Sequence, residues 1–292
     1  MVAAAAALVS SFSRAGLNIV DSVMIGVRRI PVNDAVFLNN LLPAIIGTAG
    51  CALSNELDNL LASFVDWRTV VFALLVQAVG CSFAVVLRTH PVERAVFLSK
   101  FPDLPIYIIL LPAAAPLSMS SALDCALSAA TTLVCCLYLL RTGKLDLVQL
   151  TLPAALVVQS VIAPFLLSAV SSEGISGGLT FAIATIGWRT LFSLPSVGTR
   201  MSSIKAMIID ERALVFSRAV LAMVVQVSFI VAIVTMPTAI IWSLLNMSGA
   251  ISLLFARLHF RRERYGTLDA ALVGIVLTTM CRLALDAARS AG

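Results

Sequence analysis

The sequence predicts an all-α polytopic membrane protein with about ten transmembrane helices, arranged as two inverted five-helix repeats. Composition is the first indication: 60% of the 292 residues are hydrophobic, 12% are charged, and the mean hydropathy is +1.02. Soluble domains have roughly 45–50% apolar and about 25% charged residues. The second indication is a series of long apolar segments, and the third is a short match between the two halves of the chain. A soluble domain of this length would need far more polar surface.

A membrane-spanning helix needs about 20 mostly apolar residues, and ten segments meet this requirement. They lie at 2–27, 32–53, 68–88, 92–116, 118–140, 147–170, 176–198, 211–235, 238–257 and 267–288. The fourth is interrupted, because "SKFPDLPIY" places Lys100, Pro102 and Asp103 in its middle. Such a break is tolerated at membrane depth only where it is buried in protein or lines a cavity.

The first segment is predicted to be a retained helix. "MVAAAAALVSS" has no basic residue before its apolar run, and Arg28 and Arg29 follow it. A secretory signal peptide has the opposite polarity and a shorter apolar core. We therefore expect the N-terminus to be translocated.

Basic residues are concentrated in the loops that follow the odd-numbered helices. Twelve lie there: Arg28, Arg29, Arg88, Arg141, Lys144, Arg200, Lys205, Arg212, Arg257, Arg261, Arg262 and Arg264. The opposite side has only Arg68 and Arg289. The positive-inside rule then places the odd loops in the cytosol and both termini in the lumen or exterior.

Two short matches relate the halves of the chain. "SFAVVLRTHP" at 82–91 and "SFIVAIVTMP" at 228–237 share five positions at an offset of 146, and "LDCAL" at 123–127 corresponds to "LDAAL" at 268–272. Five spans per repeat is an odd number, so the copies must have opposite orientations. The predicted repeats are 1–145 and 146–292, with a substrate site between them near the membrane midplane.

Five plus five short helices resemble the drug/metabolite transporter superfamily, which includes EamA-type exporters and nucleotide-sugar transporters. "SRAGLNIVDSVMIGVRRIPVNDAVFLNNLLPAI" is similar to the sixth and seventh helices of GDP-mannose transporters, which carry an FYNN motif after a basic turn. Phe37, Asn39 and Asn40 match that motif, and Leu38 replaces its tyrosine. This resemblance lies in the C-terminal half of the family, whose first helix runs from lumen to cytosol, the direction that the charges predict here.

A second motif of that family, GALNK followed by Leu-Pro, is partly kept. "VFLSKFP" has Lys100 and Pro102 in the matching places. The glycine, alanine and asparagine are replaced by Val96, Phe97 and Ser99. The superfamily resemblance is intact, while guanine-nucleotide and mannose specificity do not follow from it.

Asn39 and Asn40 stand side by side in an apolar segment. A buried amide without a partner costs roughly 2–7 kcal/mol, so the pair needs polar neighbours. One interpretation is interhelical hydrogen bonding, which contributes below about 1 kcal/mol per bond. Because Phe37 and Lys100 are also in register with the family motifs, we favour a cavity that binds a sugar or nucleotide.

Charged residues inside membrane helices are rare and are candidates for function. Arg14 and Asp21 share one helix face with Asn18, where they either line a cavity or pair with each other. Arg189 could grip a diphosphate with its planar fork, or pair with Asp21 or Asp124. The predicted substrate-binding residues are Phe37, Asn39, Asn40, Lys100, Arg189, Asn246, Arg14 and Asp21.

Several other classes of protein are not expected. His90 and His259 form no metal motif, and the six cysteines include no CxxC pair. No glycine-rich loop precedes a GK[ST] sequence, so there is no ATP-driven motor. The sequence predicts no metal, no cofactor, no enzymatic activity and no nucleic-acid partner.

By resemblance, the chain would lie in a Golgi or endoplasmic reticulum membrane. It would exchange a cytosolic nucleotide sugar for a lumenal nucleoside monophosphate by alternating access. Its partners would be a phosphorylated small molecule and the lipid bilayer. The oligomeric state is left open, with a homodimer among the alternatives. The alternative functions are an exporter of another small metabolite and a non-transporting membrane protein that retains the fold.

Overall fold

The computed structural model describes residues 2–101, 119–167, 174–198, 201–235, 238–260 and 266–291, and all regular structure in them is helical. The helices are α1 Val2–Asp21, α2 Val32–Leu53, α3 Leu57–Val65, α4 Trp67–Thr89, α5 Val92–Lys100, α6 Met119–Thr142, α7 Leu147–Leu167, α8 Gly174–Val197, α9 Met201–Asp210, α10 Arg212–Thr235, α11 Thr238–Phe260 and α12 Gly266–Ala291. A π-helical turn, Ser22–Val27, continues α1. The all-α fold class is confirmed.

Each of the ten predicted spans begins within two residues of the first residue of a described helix. The fourth is described only as far as residue 101, so the rest of it lies outside the described residues. Two further helices, α3 and α9, lie in connections for which the sequence predicts no span. They have 9 and 10 residues, too short for a search window of about 20 to detect.

Within the described residues, three helical stretches are long and apolar enough to cross a membrane. They are Val32–Leu53, Trp67–Thr89 and Arg212–Phe229. Shorter apolar helical stretches occur at Ala126–Thr142, Leu147–Ala163 and Met247–Phe260. These lengths and compositions are compatible with a membrane protein.

Helices from the two halves of the chain pack against each other. In the first half, α1 contacts α10 and α11; at the start of the second half, α7 contacts α4 and α5. Further contacts join α2 with α8, α5 with α11, and α6 with α12. The buried apolar core includes Phe37, Phe97 and Leu253, with Phe97 stacked on Tyr138 at a ring-centroid distance of 4.0 Å.

One end of the helix assembly gathers the connections rich in basic residues. Arg28, after α1, lies 3.5 Å from Glu211, just before α10. His90, after α4, lies 3.5 Å from Asp146, just before α7. We call this end the basic side. Arg94 also reaches the connection between α6 and α7 there, donating to the backbone carbonyls of Thr142, Gly143 and Lys144 at 3.3, 3.3 and 2.8 Å.

A different set of contacts holds α3 against α8. Ser63 Oγ lies 3.2 Å from Thr180 Oγ1, and the Trp188 indole Nε1 donates to the Phe64 carbonyl at 2.8 Å. The rings of Phe64 and Trp188 stack with centroids 4.9 Å apart. The short helix therefore packs along the early part of α8.

Candidate functional site

A buried ion pair joins α1 to α10. Asp21 is the last residue of α1, and Arg218 lies six residues into α10. The Arg218 guanidinium donates from Nε to Asp21 Oδ1 at 3.0 Å and from its second terminal nitrogen to Oδ2 at 3.4 Å. The two side chains are 13% and 12% exposed, so the pair is largely shielded from solvent. This bidentate geometry is the strong form of an arginine–carboxylate contact.

Arg218 makes a third contact, to the backbone of α2. Pro43 lies inside α2 and has no N–H to donate to the carbonyl four residues earlier, which belongs to Asn39. The remaining terminal nitrogen of Arg218 donates to that carbonyl at 3.0 Å. The arginine thus replaces the donor that the proline removes and holds α1, α2 and α10 together.

The two adjacent asparagines point to different neighbours. Asn39 Nδ2 donates to Asp21 Oδ1 at 3.4 Å, while its Oδ1 is buried and accepts no hydrogen bond from the described residues. Asn40, at 1% exposure, donates to the Val36 carbonyl at 3.0 Å and to Gln77 Oε1 at 3.3 Å. The Nδ2 group of Asn40 is therefore fully used by protein acceptors, whereas the buried Oδ1 of Asn39 has no donor among the described residues.

Gln77 links α2, α4 and α8. Its Oε1 also accepts from Arg189 Nε at 3.3 Å, and its Nε2 donates to Ser193 Oγ at 2.9 Å. On the same face of α4, a Cβ added to Gly80 would lie 3.4 Å from a terminal nitrogen of Arg189. The small residue gives the guanidinium room beside α4.

Arg189 differs from Arg218 in how its nitrogens are used. Only its Nε has a hydrogen-bond acceptor among the described residues, and the residue is partly exposed. Arg218 uses Nε and both terminal nitrogens on protein acceptors. The terminal nitrogens of Arg189 are thus available to a ligand.

The polar cluster made by Asp21, Asn39, Asn40, Gln77, Arg189, Ser193 and Arg218 has an excess of positive charge. Two guanidinium groups face one carboxylate: Asp21 attracts both arginines, which also repel each other. An anion placed beside Arg189 would relieve this imbalance. The arrangement is suited to binding a negatively charged group.

The other predicted candidates on α1 lie outside this cluster. Arg14 is exposed, and Asp21 pairs with Arg218 instead of with Arg14. Asn18 donates from Nδ2 to Ser252 Oγ on α11 at 2.9 Å. The alternative of an Arg14–Asp21 pair is therefore not what the structure contains.

Lys100 and Phe37 also occupy separate environments. Lys100 is 7% exposed at the end of α5 and packs on α11, where a Cβ added to Gly249 would come within 2.8 Å of its Cε. Phe37 is buried in the apolar core. The side chains of Asn246 and Asp124 lie outside the described residues, so the substrate contact of Asn246 and the alternative pairing of Arg189 with Asp124 stay predictions.

Three members of the cluster, Arg218, Ser193 and Gln77, are not among the substrate-binding residues that the sequence predicts. Arg218 could have been recognised from the sequence, because a charged residue inside the apolar stretch "ALVFSRAVLAMVV" is a candidate for function. Its role as donor to a carbonyl 179 positions away has no signature in the sequence.

Comparison with known proteins adds information on the fold alone. No family model and no curated protein matches the chain. A solved structure described as "Crystal structure of protein" is similar, with a TM-score of 0.57 and 12% sequence identity. The similarity covers 94% of this chain and 96% of the other, so the two folds correspond over almost their whole lengths.

Proposed function

We propose that this protein is a multi-pass membrane transporter that exchanges phosphorylated small molecules, of the nucleotide-sugar/nucleoside-monophosphate antiporter type, by alternating access. The observation that carries the proposal is Arg189, a guanidinium amid packed helices whose terminal nitrogens have no acceptor among the described residues. An intramembrane charge is a functional candidate by default. The planar guanidinium group of arginine can donate two parallel hydrogen bonds to the oxygens of a phosphate.

The neighbours of Arg189 suit an anionic, hydroxyl-rich ligand. Gln77 fixes the guanidinium through Nε, which leaves its outer edge for a phosphate. Asn39 Oδ1 supplies a buried acceptor for a sugar hydroxyl or a base N–H. In this proposal Arg218 and Asp21 position α1, α2 and α10 around the ligand without binding it. Lys100 and Asn246 are assigned a second contact on the basis of the family resemblance.

The inverted repeat is the second part of the proposal, and it has support from helix positions. Helices of the first half start at 2, 32, 57, 67, 92 and 119; those of the second start at 147, 174, 201, 212, 238 and 266. Each is 142 to 147 residues after its counterpart. Even the short α3 and α9 correspond, a feature that was not used to detect the repeat.

The packing pattern supports the same symmetry. Exchanging the halves turns the contact of α1 with α10 into that of α7 with α4, and the contact of α1 with α11 into that of α7 with α5. The same exchange leaves three contacts unchanged, because each joins a helix to its own counterpart in the other half. These are the contacts of α2 with α8, α5 with α11 and α6 with α12. A pseudo-two-fold axis between the halves, with the ligand near it, accounts for all five relationships.

The orientation we propose places the basic side in the cytosol and both termini in the lumen of the Golgi or endoplasmic reticulum. The twelve-to-two distribution of basic residues supports it. The contacts of Arg28 with Glu211 and of His90 with Asp146 support a common side for these connections. The membrane itself and the choice of compartment belong to the proposal.

A second candidate is an exporter of another anionic metabolite. Val96, Phe97 and Ser99 replace three residues of the GALNK motif, and Val96 and Phe97 are buried in the core. These positions would therefore not offer the family's usual contacts to a sugar. Arg189 and its surplus positive charge would serve either substrate equally well.

Ligand-dependent thermal stabilisation of purified protein tests the proposal. A ligand at 100 times its Kd adds about 2.7 kcal/mol to the free energy of unfolding, enough to raise the melting temperature measurably. We expect stabilisation by nucleotide sugars and nucleoside monophosphates and none by the unphosphorylated sugars. Stabilisation by another anionic metabolite instead would favour the exporter. A protein that gains nothing from any phosphorylated compound would contradict both.

A further inference from the structure

A cavity of about 300 Å³ opens on the basic side, where α1, α4, α5 and α11 have their ends. The π-helical turn forms one wall, and Phe260 closes the cavity from α11. Its polar lining consists of Ser22, Arg29, Arg88, Thr89, His90 and Glu93. None of these belongs to the cluster around Arg189, so the cavity is a separate place in the fold.

The backbone around the cavity is built with unusual geometry. Arg29 has φ 58°, a left-handed conformation that few residues other than glycine, asparagine and aspartate adopt. The turn before it is π-helical, a form that occurs frequently at functional sites. Gly26 lets that turn approach α4 closely, because a Cβ there would lie 3.2 Å from the Leu87 carbonyl oxygen. The turn therefore packs directly on the end of α4.

Two arginine side chains at the rim are each anchored on a backbone carbonyl. Arg29 donates from a terminal nitrogen to the Arg88 carbonyl at 3.2 Å, and Arg88 donates likewise to the Ile30 carbonyl at 3.2 Å. Each guanidinium thus has one nitrogen fixed on backbone. The remaining nitrogens have no acceptor among the described residues. A pair of oriented guanidinium groups is the arrangement that binds phosphate oxygens.

The charge of the lining favours an anion. Arg29 and Arg88 outnumber Glu93, so the charged residues of the lining sum to one net positive charge. The volume suits a phosphate group and part of what it is attached to, and no apolar ligand would use the two guanidinium groups.

We propose that this cavity binds a phosphate group, held by Arg29 and Arg88, independently of the Arg189 site. Two sources share this chemistry: a soluble phosphate compound and the headgroup of a phosphomonoester lipid in the adjoining leaflet. The lipid source rests on the membrane placement of the proposed function; binding of soluble phosphate does not.

The variants separate binding from folding. Arg29→Gly removes the guanidinium but suits the left-handed backbone, so the fold should be kept. Arg88→Gln removes the second guanidinium. Arg28→Gln is the matched control, since Arg28 neighbours Arg29, pairs with Glu211 and does not line the cavity. Arg189→Gln tests independence from the proposed transport site.

The measurement is the melting temperature in two arms. The first titrates inorganic phosphate and pyrophosphate onto protein in lipid-free detergent, against chloride at equal ionic strength. The second compares vesicles of phosphatidylcholine alone with vesicles that also contain phosphatidic acid. We expect saturable stabilisation of the natural protein and of the Arg28→Gln and Arg189→Gln variants in at least one arm. Loss of one charge-assisted contact should weaken apparent affinity about tenfold or more in Arg29→Gly and in Arg88→Gln.

The outcomes are distinct. Stabilisation in the first arm identifies a soluble source, and stabilisation only with phosphatidic acid identifies the lipid. No stabilisation in either arm overturns the proposal, as does equal stabilisation of the natural protein, Arg29→Gly and Arg88→Gln. Loss of the effect in Arg189→Gln would assign phosphate binding to the transport site and overturn the separate cavity. A failure here would leave the stabilisation by nucleotide sugars at Arg189 untouched.

Discussion

Arg218 donates to the backbone carbonyl of Asn39 at 3.0 Å, although the two residues are 179 positions apart. The contact exists because Pro43 removes the helical donor of that carbonyl. The same guanidinium holds Asp21, so one side chain offsets a backbone defect in α2 and a buried charge at the end of α1. This makes Arg218 a structural link between the halves of the chain.

Coupling between Pro43 and Arg218 follows from this relationship. In the natural sequence, Arg218→Gln breaks a buried ion pair, which costs about 3–5 kcal/mol. In a Pro43→Ala background the Asn39 carbonyl regains its helical N–H, so the same replacement should cost roughly 1 kcal/mol less, the value of one hydrogen bond. Unfolding free energies of the four proteins measure this coupling. Pro195→Ala, another proline inside a helix, is the control and should not couple to Arg218. Strict additivity of Pro43→Ala and Arg218→Gln would contradict the account.

Replacement of the two adjacent asparagines should have different effects: one should lower stability and the other should weaken ligand affinity. Asn40→Ala removes two hydrogen bonds of a fully buried side chain and should lower the unfolding free energy by about 1–3 kcal/mol, with the affinity of the folded protein kept. Asn39→Ala removes an acceptor that the described residues leave unused, so it should weaken ligand affinity about tenfold, equivalent to 1.4 kcal/mol. Binding isotherms and melting temperatures on both variants check this. Unchanged affinity in Asn39→Ala would leave the pair as a helix–helix contact.

The position of the Lys100 side chain should depend on the absence of a side chain at Gly249, which packs against it. A methyl group at position 249 would lie 2.8 Å from Lys100 Cε, so Gly249→Ala must displace the side chain. If Lys100 contacts substrate, Gly249→Ala and Lys100→Arg should both raise KM, and Lys100→Ala should abolish uptake. Gly274→Ala serves as the control, because the atoms nearest to its Cβ would belong to Val134. A fall in stability without any change in KM would assign Lys100 to packing.

Asp146 should make the connection before α7 sensitive to acid. The Gln149 backbone N–H, 2.8 Å away, lowers the pKa of this carboxyl, and His90 contributes in the same direction. A folded-state pKa below the unfolded one stabilises the protein above the unfolded value of about 3.9, and this contribution is lost as the pH falls through the folded value. Asp146→Asn keeps a capping side chain without titrating. Its melting temperature should therefore depend less on pH below 4 than that of the natural protein; equal slopes would contradict the assignment.

The long helices could be predicted because each is a run of apolar residues near the length that spans a bilayer. The short α3 and α9 could not, since helices of 9 and 10 residues fall below the search window of about 20 that detects membrane spans. Asn39, Asn40 and Asp21 were predicted as polar residues in an apolar setting, and the structure joins them in one cluster. The bond from Arg218 to the Asn39 carbonyl could not be predicted, because it joins residues 179 positions apart and depends on how α10 packs on α2. The separation of Lys100 from that cluster depends on how α5 packs on α11, which local sequence does not determine.

We propose above all that a phosphorylated substrate binds at Arg189 and is exchanged across the membrane. Counterflow in proteoliposomes tests it most directly, with nucleoside monophosphate inside and labelled nucleotide sugar outside. We predict exchange by the natural protein, a fall of about tenfold or more in Arg189→Lys because the fork is lost, and background rates in Arg189→Gln. Arg68→Gln, whose arginine neighbours Asp66 at the start of α4, should exchange normally. Exchange by Arg189→Gln at the natural rate, or none by the natural protein with any phosphorylated substrate, would contradict the claim.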